Sequence, residues 1–579
     1  MRSCATSPPK RGNKPRFHVQ VSVNAPENEH TRLELKCRRV NPTRGSCGDM
    51  EKIRERFKQK KSCESARLRK RSSILYSTDA SQPQTLKFFG ISITVFTVIF
   101  RLLSCVLVQT SFVPDEYWQS LEIPHRMVFG YGYETWEWKE GMRGYSYPLL
   151  FALMYKLLHL MNYDTVYLLV FVPRVFQALL AAYAEVKLYN LVLRWETPDV
   201  AKWTYFCQLC SWFTWFCCSR TLTNTMETVL TTLALCFYPL PGSKTHNSWK
   251  YLSLVSLAIV VRPTALIVWL PLLFYHFCME KHKLKLITQR CFPIAALALG
   301  VSTLIDSVFY GKWILVQWNF LKFNVLHNVA EFYGAHPWHW YFTQGLPVVL
   351  GPHLPLFLHG CSLATKKHRI LLITVLWTTA IYSLLAHKEF RFVYPVLPFC
   401  MIFSGMSLAK MQAWRKPAAA ALLLFNLIPS LYTGLIHQRG SLDVMHDLQQ
   451  LCDVSESQNS PELLFLMPCH STPLYSHLHC PLKLRFLECP PDLTGNEEYV
   501  DEADVFFSNP LHWLRTSFPS QSKLPSHIVL FDCLEKEISS FLEENRFAKK
   551  AEIFHTHFPE GRVGRNILIY TRGSELKTK

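Results

Sequence analysis

Apolar runs of membrane length recur from residue 88 to residue 436, each separated from the next by a short polar, basic or aromatic stretch. The runs are 88–109, 165–194, 203–219, 222–240, 251–261, 264–277, 291–310, 343–362, 370–386, 393–410 and 416–436. Most approach the roughly 20 apolar residues that carry a helix across a bilayer. The two shortest flank Arg262-Pro263, which predicts either a broken pair or one kinked helix. A further run, YPLLFALMYKLLHLM at 147–161, is short and is interrupted by Lys156 and His159. We read it as an interfacial helix, leaving about 11 transmembrane helices by the length criterion.

After residue 437 the period changes. ELLFLMP, ADVFFS, HIVLF and NILIYT read as buried strands, and EKEISSFLEEN as a helix between two of them. This predicts a small α/β domain over 437–579, preceded by a transmembrane domain over 85–436 and a basic arm over 1–84. The α/β segment carries no Gly-rich phosphate cradle and no Walker pattern, so no nucleotide site is expected.

Charge fixes the expected orientation. Residues 1–82 hold 20 Lys/Arg against 8 Asp/Glu, +12 of the whole chain's formal +19. A basic arm rich in Pro and Ser reads as disordered. It lacks the interleaved aromatics of a nucleic-acid surface. The first apolar run begins near residue 88 and so reads as a retained signal anchor, not a cleaved leader. With the arm in the cytosol, the loops RWETPDVAKW, GSKTHNSWK, EKHKLKLITQR, TKKHR and QAWRK fall on the same, positive side. The opposite, lumenal side then collects the first loop (110–164), TLTNTMET, VRPT, AHPWHWY, HKEFRF and the C-terminal domain. Five cysteines in the C-terminal segment (Cys452, Cys469, Cys480, Cys489 and Cys533) suit one or two disulfides in an oxidising lumen, with pairing open. The CQLC of Cys207 and Cys210 lies among Trp, Phe and Leu and reads as core.

The candidate chemistry lies on that lumenal side. SFVPDEYWQS presents Asp115 and Glu116 directly after a membrane-length run, beside Tyr117 and Trp118. Pro114 suits a first helical turn, whose positive end the two carboxylates would complement. They equally suit a general base at the water–lipid boundary. The following YGYETWEWKEGMRGYSYP, with Trp136, fits either sugar stacking or an interfacial aromatic belt. TLTNTMET places Asn224 and Glu227 in an apolar helix, where an ionisable group usually faces a polar cavity; interhelical hydrogen bonding is the plainer reading. In HKEFRF, a helical start would group His387, Lys388 and Arg391 for a phosphate, unless Glu389 merely neutralises a charged turn. Arg262 is a second phosphate candidate. In GAHPWHWY, Trp338 and His339 suit stacking or interfacial anchoring, since no carboxylate accompanies the histidines as a metal site would want.

Taken together, PDE in the first loop, TLTNTMET, FYGAHPWHWYF and HKEFRFVYPVLPF resemble the dolichyl-phosphate-mannose-dependent mannosyltransferases of the endoplasmic reticulum, which have the GT-C fold. The likeness runs from about residue 85 to the C-terminus. Within that family, CQLCSWFTWFCCSRTLTNTMETVLT and MPCHSTPLYSHLHCP are most similar to the branch that adds the third mannose of the glycosylphosphatidylinositol (GPI) anchor. The resemblance implies an inverting, α1,2-directed transfer from dolichyl-phosphate-mannose to the second mannose of the GPI precursor. It implies no cofactor beyond that donor and no obligatory metal. Asp115 would deprotonate the acceptor hydroxyl, Glu116 would orient the acceptor or support Asp115, and His387, Lys388, Arg391 and Arg262 would hold the leaving phosphate. Tyr117, Trp118, Trp136, Glu227, Asn224, Trp338 and His339 would contact the substrates. Two rivals remain: a sister mannosyltransferase of dolichol-linked N-glycan assembly, and a transporter, which should show internal repeats that the chain lacks.

Overall fold

The computed structural model describes residues 87–88 and 91–573, less 244–245, 328, 453–460, 494–495, 497 and 521–522. The basic arm falls outside the described residues. Thr85–Lys579 form one compact unit.

The apolar runs fold as helices, but several are broken. Among the described residues, four helices are long and apolar enough to cross a membrane unaided: Val166–Trp195, Lys283–Tyr310, Phe390–Lys410 and Gln412–Gln449. Five shorter apolar helices accompany them, Ile93–Leu107, Pro148–Leu160, Ser248–Val261, Ala265–Met279 and Arg369–Leu384. The run 203–219 divides into Pro198–Cys210 and Trp212–Cys217, because the Ser211 side chain caps the second helix. The run 343–362 divides at Gly351, whose φ of +50° is left-handed. At Arg262-Pro263 the chain leaves one helix at Val261 and enters the next at Ala265, a broken pair. Pro148–Leu160 exposes Leu150, Leu153, Leu157 and Leu160 in one stripe and buries Phe151 and Tyr155 on the other.

Helix Leu397–Lys410 is the buried centre of the helical part. It packs where side chains are absent. A Cβ on Gly405 would lie 2.4 Å from the backbone nitrogen of Thr204, and one on Gly360 would lie 2.0 Å from the carbonyl of Phe403. Such small-residue contacts let helix backbones approach where lipid gives no hydrophobic drive. Arg101 and Glu185 join helices Ile93–Leu107 and Val166–Trp195 by a buried ion pair of 2.7 Å.

The C-terminal part is a mixed five-stranded sheet. Its order is Lys483–Phe486, Glu462–Leu466, His527–Phe531, Asn566–Arg572, Phe547–Phe554. The first three strands are parallel and the last two antiparallel to their neighbours. Helix Asp532–Glu544 follows the fully buried strand His527–Phe531, as the pattern predicts. ADVFFS departs from its predicted strand: it is helix Glu502–Ser508. The Asp501 carboxylate accepts from Asp504 N at 2.6 Å, a helix cap, and the buried residues Ala503 and Phe506 are three apart instead of two. Disulfides join Cys452 to Cys480 and Cys469 to Cys489, leaving Cys533 free.

This sheet is docked on the first loop. Trp118 donates from Nε1 to the Thr472 carbonyl at 3.1 Å and packs edge-on to His470. Glu122, fully buried, accepts from Leu474 N at 2.8 Å and from the Ser476 hydroxyl at 2.6 Å.

Candidate active site

The two carboxylates of PDE part company in space. Pro114 precedes the single-turn helix Asp115–Trp118, so successive side chains leave it in different directions. Asp115 stays accessible, and its Oδ2 lies 2.5 Å from Arg391 Nη1. Glu116 turns into the core, where its Oε2 accepts from Arg220 Nη1 at 2.6 Å. Arg220 also donates to the Thr110 carbonyl at 2.8 Å and lies 4.1 Å over the Phe216 ring. Glu116 therefore ties the loop to the helices and does not support Asp115. Arg220 went unread in the sequence because nothing in SRTLT distinguishes it from any loop-end arginine.

HKEFRF is not a helical start. His387–Glu389 are not helical, Glu389 is extended and a 3₁₀ turn begins at Phe390, so the cations meet through Glu389 instead of through helical spacing. Arg391 donates Nε and Nη2 to the two oxygens of Glu389 at 2.7 and 2.6 Å, a bidentate fork. His387 Nε2 lies 3.1 Å from the same carboxylate and Nδ1 lies 3.0 Å from the Gly334 carbonyl. Burial works against the charge of Glu389, but Arg391 and His387 outweigh it and hold the carboxyl well below the usual range. Burial also disfavours charged His387, and the hydrogen bond and charge of Glu389 more than offset this, raising its pKa. Arg391 is buried between Asp115 and Glu389. Lys388 does not join them. Its ammonium is turned onto the carbonyls of His336, at 2.8 Å, and of Leu385 and Ala386.

Beneath this cluster lies a second ion pair. Arg262 Nε is 3.4 Å from Glu227 Oε2 and donates to the Thr264 hydroxyl at 2.8 Å. Glu227 is fully buried and makes no hydrogen bond. Asn224 donates to the Arg391 carbonyl at 3.3 Å. The Phe392 ring links the two levels, with the guanidinium of Arg262 at 5.1 Å and that of Arg391 at 5.7 Å. The broken helix at Arg262-Pro263 thus puts irregular backbone where it lines a polar interior.

Two further residues join from elsewhere. Arg143, held by Glu137 at 2.6 and 3.1 Å, is close enough to feel the charges of Asp115 and Arg391. Its signal was the lone cation of GMRGYSYP. His470 comes from the C-terminal part, with a left-handed φ of +62° beside the disulfide-bonded Cys469. Burial pushes its pKa down to about 4 against the opposing charge of Asp115. No local pattern marks it; only docking of the sheet brings it in.

The aromatic candidates mostly stand elsewhere. Tyr117 and Trp118 are buried in the seam with the sheet, Tyr117 edge-on to His477 at 5.3 Å. They anchor the C-terminal part and offer no face to a sugar. Trp136 donates to the Tyr333 hydroxyl at 2.6 Å and stacks on its ring. Trp338 is 68% exposed and packs edge-on to His339.

Family comparison decides what this arrangement belongs to. Residues 92–479 match the model of the Alg9-like mannosyltransferase family. The chain belongs to that family. The match takes in the first loop, both ion-pair levels and His470, and ends before most of the sheet. A zebrafish (Danio rerio) protein named GPI alpha-1,2-mannosyltransferase 3 is 83% identical over 91% of this chain and 99% of its own. The human (Homo sapiens) protein of that name is 58% identical over 89% of this chain and 93% of its own. A Drosophila melanogaster protein named GPI mannosyltransferase 3 is 42% identical over 79% and 83%. In fold, this mannosyltransferase matches ArnT from Cupriavidus metallidurans, solved with undecaprenyl phosphate. The TM-score is 0.56 at 11% identity, covering 83% of this chain and 98% of ArnT. The likeness is one of fold; transferase character rests on the family match and membrane character on the long apolar helices.

Proposed function

We propose that this mannosyltransferase transfers mannose from dolichyl-phosphate-mannose, in α1,2 linkage, to the second mannose of the GPI precursor. Two lines support the reading: the names of relatives that match it over nearly their whole length, and the joining of Asp115 to a cationic cluster. The single observation that carries the chemistry is Arg391, which contacts Asp115 at 2.5 Å while clamped by Glu389.

Asp115 takes the proton from the attacking acceptor hydroxyl. The donor is a β-linked mannosyl phosphate, and in-line attack opposite the leaving group gives the α-mannoside. The departing phosphate is a weakly basic anion that needs charge more than a proton. Arg391, His387 and Arg143 supply that charge, already oriented, in a site of low dielectric. Arg391 is both the phosphate ligand and the partner of the base, so it sets the distance between donor and acceptor. As the phosphate draws the guanidinium towards itself, Asp115 is released to the acceptor. Glu227, with Arg262 on one side and no hydrogen bond of its own, receives acceptor hydroxyls. The first loop, the HKEFRF cluster and the C-terminal part then face the lumen of the endoplasmic reticulum, with the N-terminal arm in the cytosol.

Purified protein incubated with dolichyl-phosphate-mannose and a two-mannose GPI acceptor should yield a three-mannose product whose new residue is released by an α1,2-mannosidase. Transfer onto a dolichol-linked oligosaccharide instead would move the assignment to the N-glycan branch.

A further inference from the structure

His246, His276 and Glu280 carry ligand atoms that all lie within 4.8 Å of one another. They lie at the far end of the helical part from the site above. Helix Ala265–Met279 starts beside Arg262, so His276 stands about 20 Å further along its axis at 1.5 Å per residue.

The central group is His276, whose side chain is 4% exposed. Its Nδ1 faces the Tyr251 hydroxyl at 2.5 Å. Its Nε2 is buried without a hydrogen-bond partner, and the Glu280 Oε2 stands off at 3.8 Å, too far to bond. An imidazole fixed through one nitrogen by a neighbouring oxygen, with the other left bare, is how a metal-binding histidine is oriented. Glu280 is oriented too: its Oε1 accepts from His282 N at 3.2 Å, which leaves Oε2 to turn towards His276. His246 completes the set from the exposed loop before helix Ser248–Val261, its ring centroid 5.7 Å from that of His276.

The spacing fits. Metal–nitrogen bonds of about 2.0 Å in a tetrahedron place ligand atoms about 3.3 Å apart. The 3.8 Å gap between His276 and Glu280 needs little closure, and the exposed His246 can swing to supply the rest. Two imidazoles and one carboxylate match the borderline ligand set preferred by zinc. Arg290 is near enough for its charge to reach His276, and the Glu280 carboxylate offsets it.

We propose that His246, His276 and Glu280 bind a transition-metal dication, Zn²⁺ in chemistry, as a clamp. It fastens the loop before Ser248 to the end of helix Ala265–Met279, and takes no part in mannose transfer. The test uses full-length protein in detergent, stripped of metal and titrated with Co²⁺. A single saturable class of sites with visible d–d absorption, displaced by Zn²⁺, is expected. His246→Ala, a change at an exposed side chain that leaves the fold intact, should abolish it. Tyr251→Phe should weaken it about 10-fold or more by freeing the imidazole. Zn²⁺ should also raise the melting temperature of the unaltered protein and not that of His246→Ala. No saturable Co²⁺ binding, Co²⁺ binding unchanged in His246→Ala, or equal Zn²⁺ stabilisation of both proteins would each overturn the proposal.

Discussion

Asp115 and Glu116 are neighbours in the chain with opposite fates, and their substitutions should separate accordingly. Asp115→Asn keeps the shape and loses the base, so transfer should fall about 10²–10⁴-fold with melting temperature nearly unchanged. Glu116→Gln leaves Arg220 charged and buried without its counter-ion. Breaking one side of a buried pair costs about 3–5 kcal/mol. That protein should therefore be scarce and heat-labile, as seen by melting in detergent, whatever its residual turnover. A well-folded but inactive Glu116→Gln would return Glu116 to the chemistry. Arg391→Lys keeps a charge but loses the fork on Glu389 and the reach to Asp115. Kinetics with both substrates varied should show a raised KM for the donor and little change for the acceptor; an unchanged donor KM would remove Arg391 from phosphate binding.

The disulfide Cys469–Cys489 closes a loop of sequence separation 20 around the segment that carries His470 and Thr472. Both residues reach Trp118 in the first loop, so the bond holds one wall of the site as well as the sheet. Loop-closure entropy for that separation is about 3 kcal/mol. Cys469→Ser with Cys489→Ser should lower stability by about that amount and reduce transfer beyond the loss of folded protein. Cys452–Cys480 interleaves with it, but neither of its cysteines adjoins His470 as Cys469 does. Its removal should cost stability with less effect on the turnover of protein that remains folded. Specific activity per folded molecule, measured for both pairs, checks the difference.

The molecule as a whole is joined by a seam of buried neutral histidines. Burial pushes His125 and His477 down to about 3 and His470 to about 4. A histidine depressed in the folded state binds fewer protons than the unfolded chain once pH falls below about 6.5. Stability contributed by the seam is thus complete above that pH and declines as pH drops towards the folded values. Each histidine subtracts about 1.4 kcal/mol per pH unit across that window. His387 behaves oppositely: its raised value contributes below about 6.5 and is lost as pH rises through the folded pKa. Melting temperature should therefore fall between pH 7 and pH 5. A curve that is flat or rises on acidification would contradict the histidine seam.

The sequence by itself determined much of this protein. Apolar runs and basic loops announced a multi-pass membrane protein, since lipid demands long apolar helices whatever their neighbours do. The apolar pattern announced three of the five strands of the C-terminal sheet, and PDE, TLTNTMET and HKEFRF marked residues that the fold brings together. The tertiary structure alone decided which member of each motif faces the site. Asp115 and Glu116 diverge because one turn of helix aims neighbouring side chains apart and Arg220 waits in the core for only one of them. Lys388 turns from the cluster of His387, Glu389 and Arg391 because three backbone carbonyls claim its ammonium. Tyr117 and Trp118 go to the seam, and His470 enters the site, because a sheet more than 300 residues downstream docks on the first loop. Such contacts join residues remote in sequence, and no local period records them.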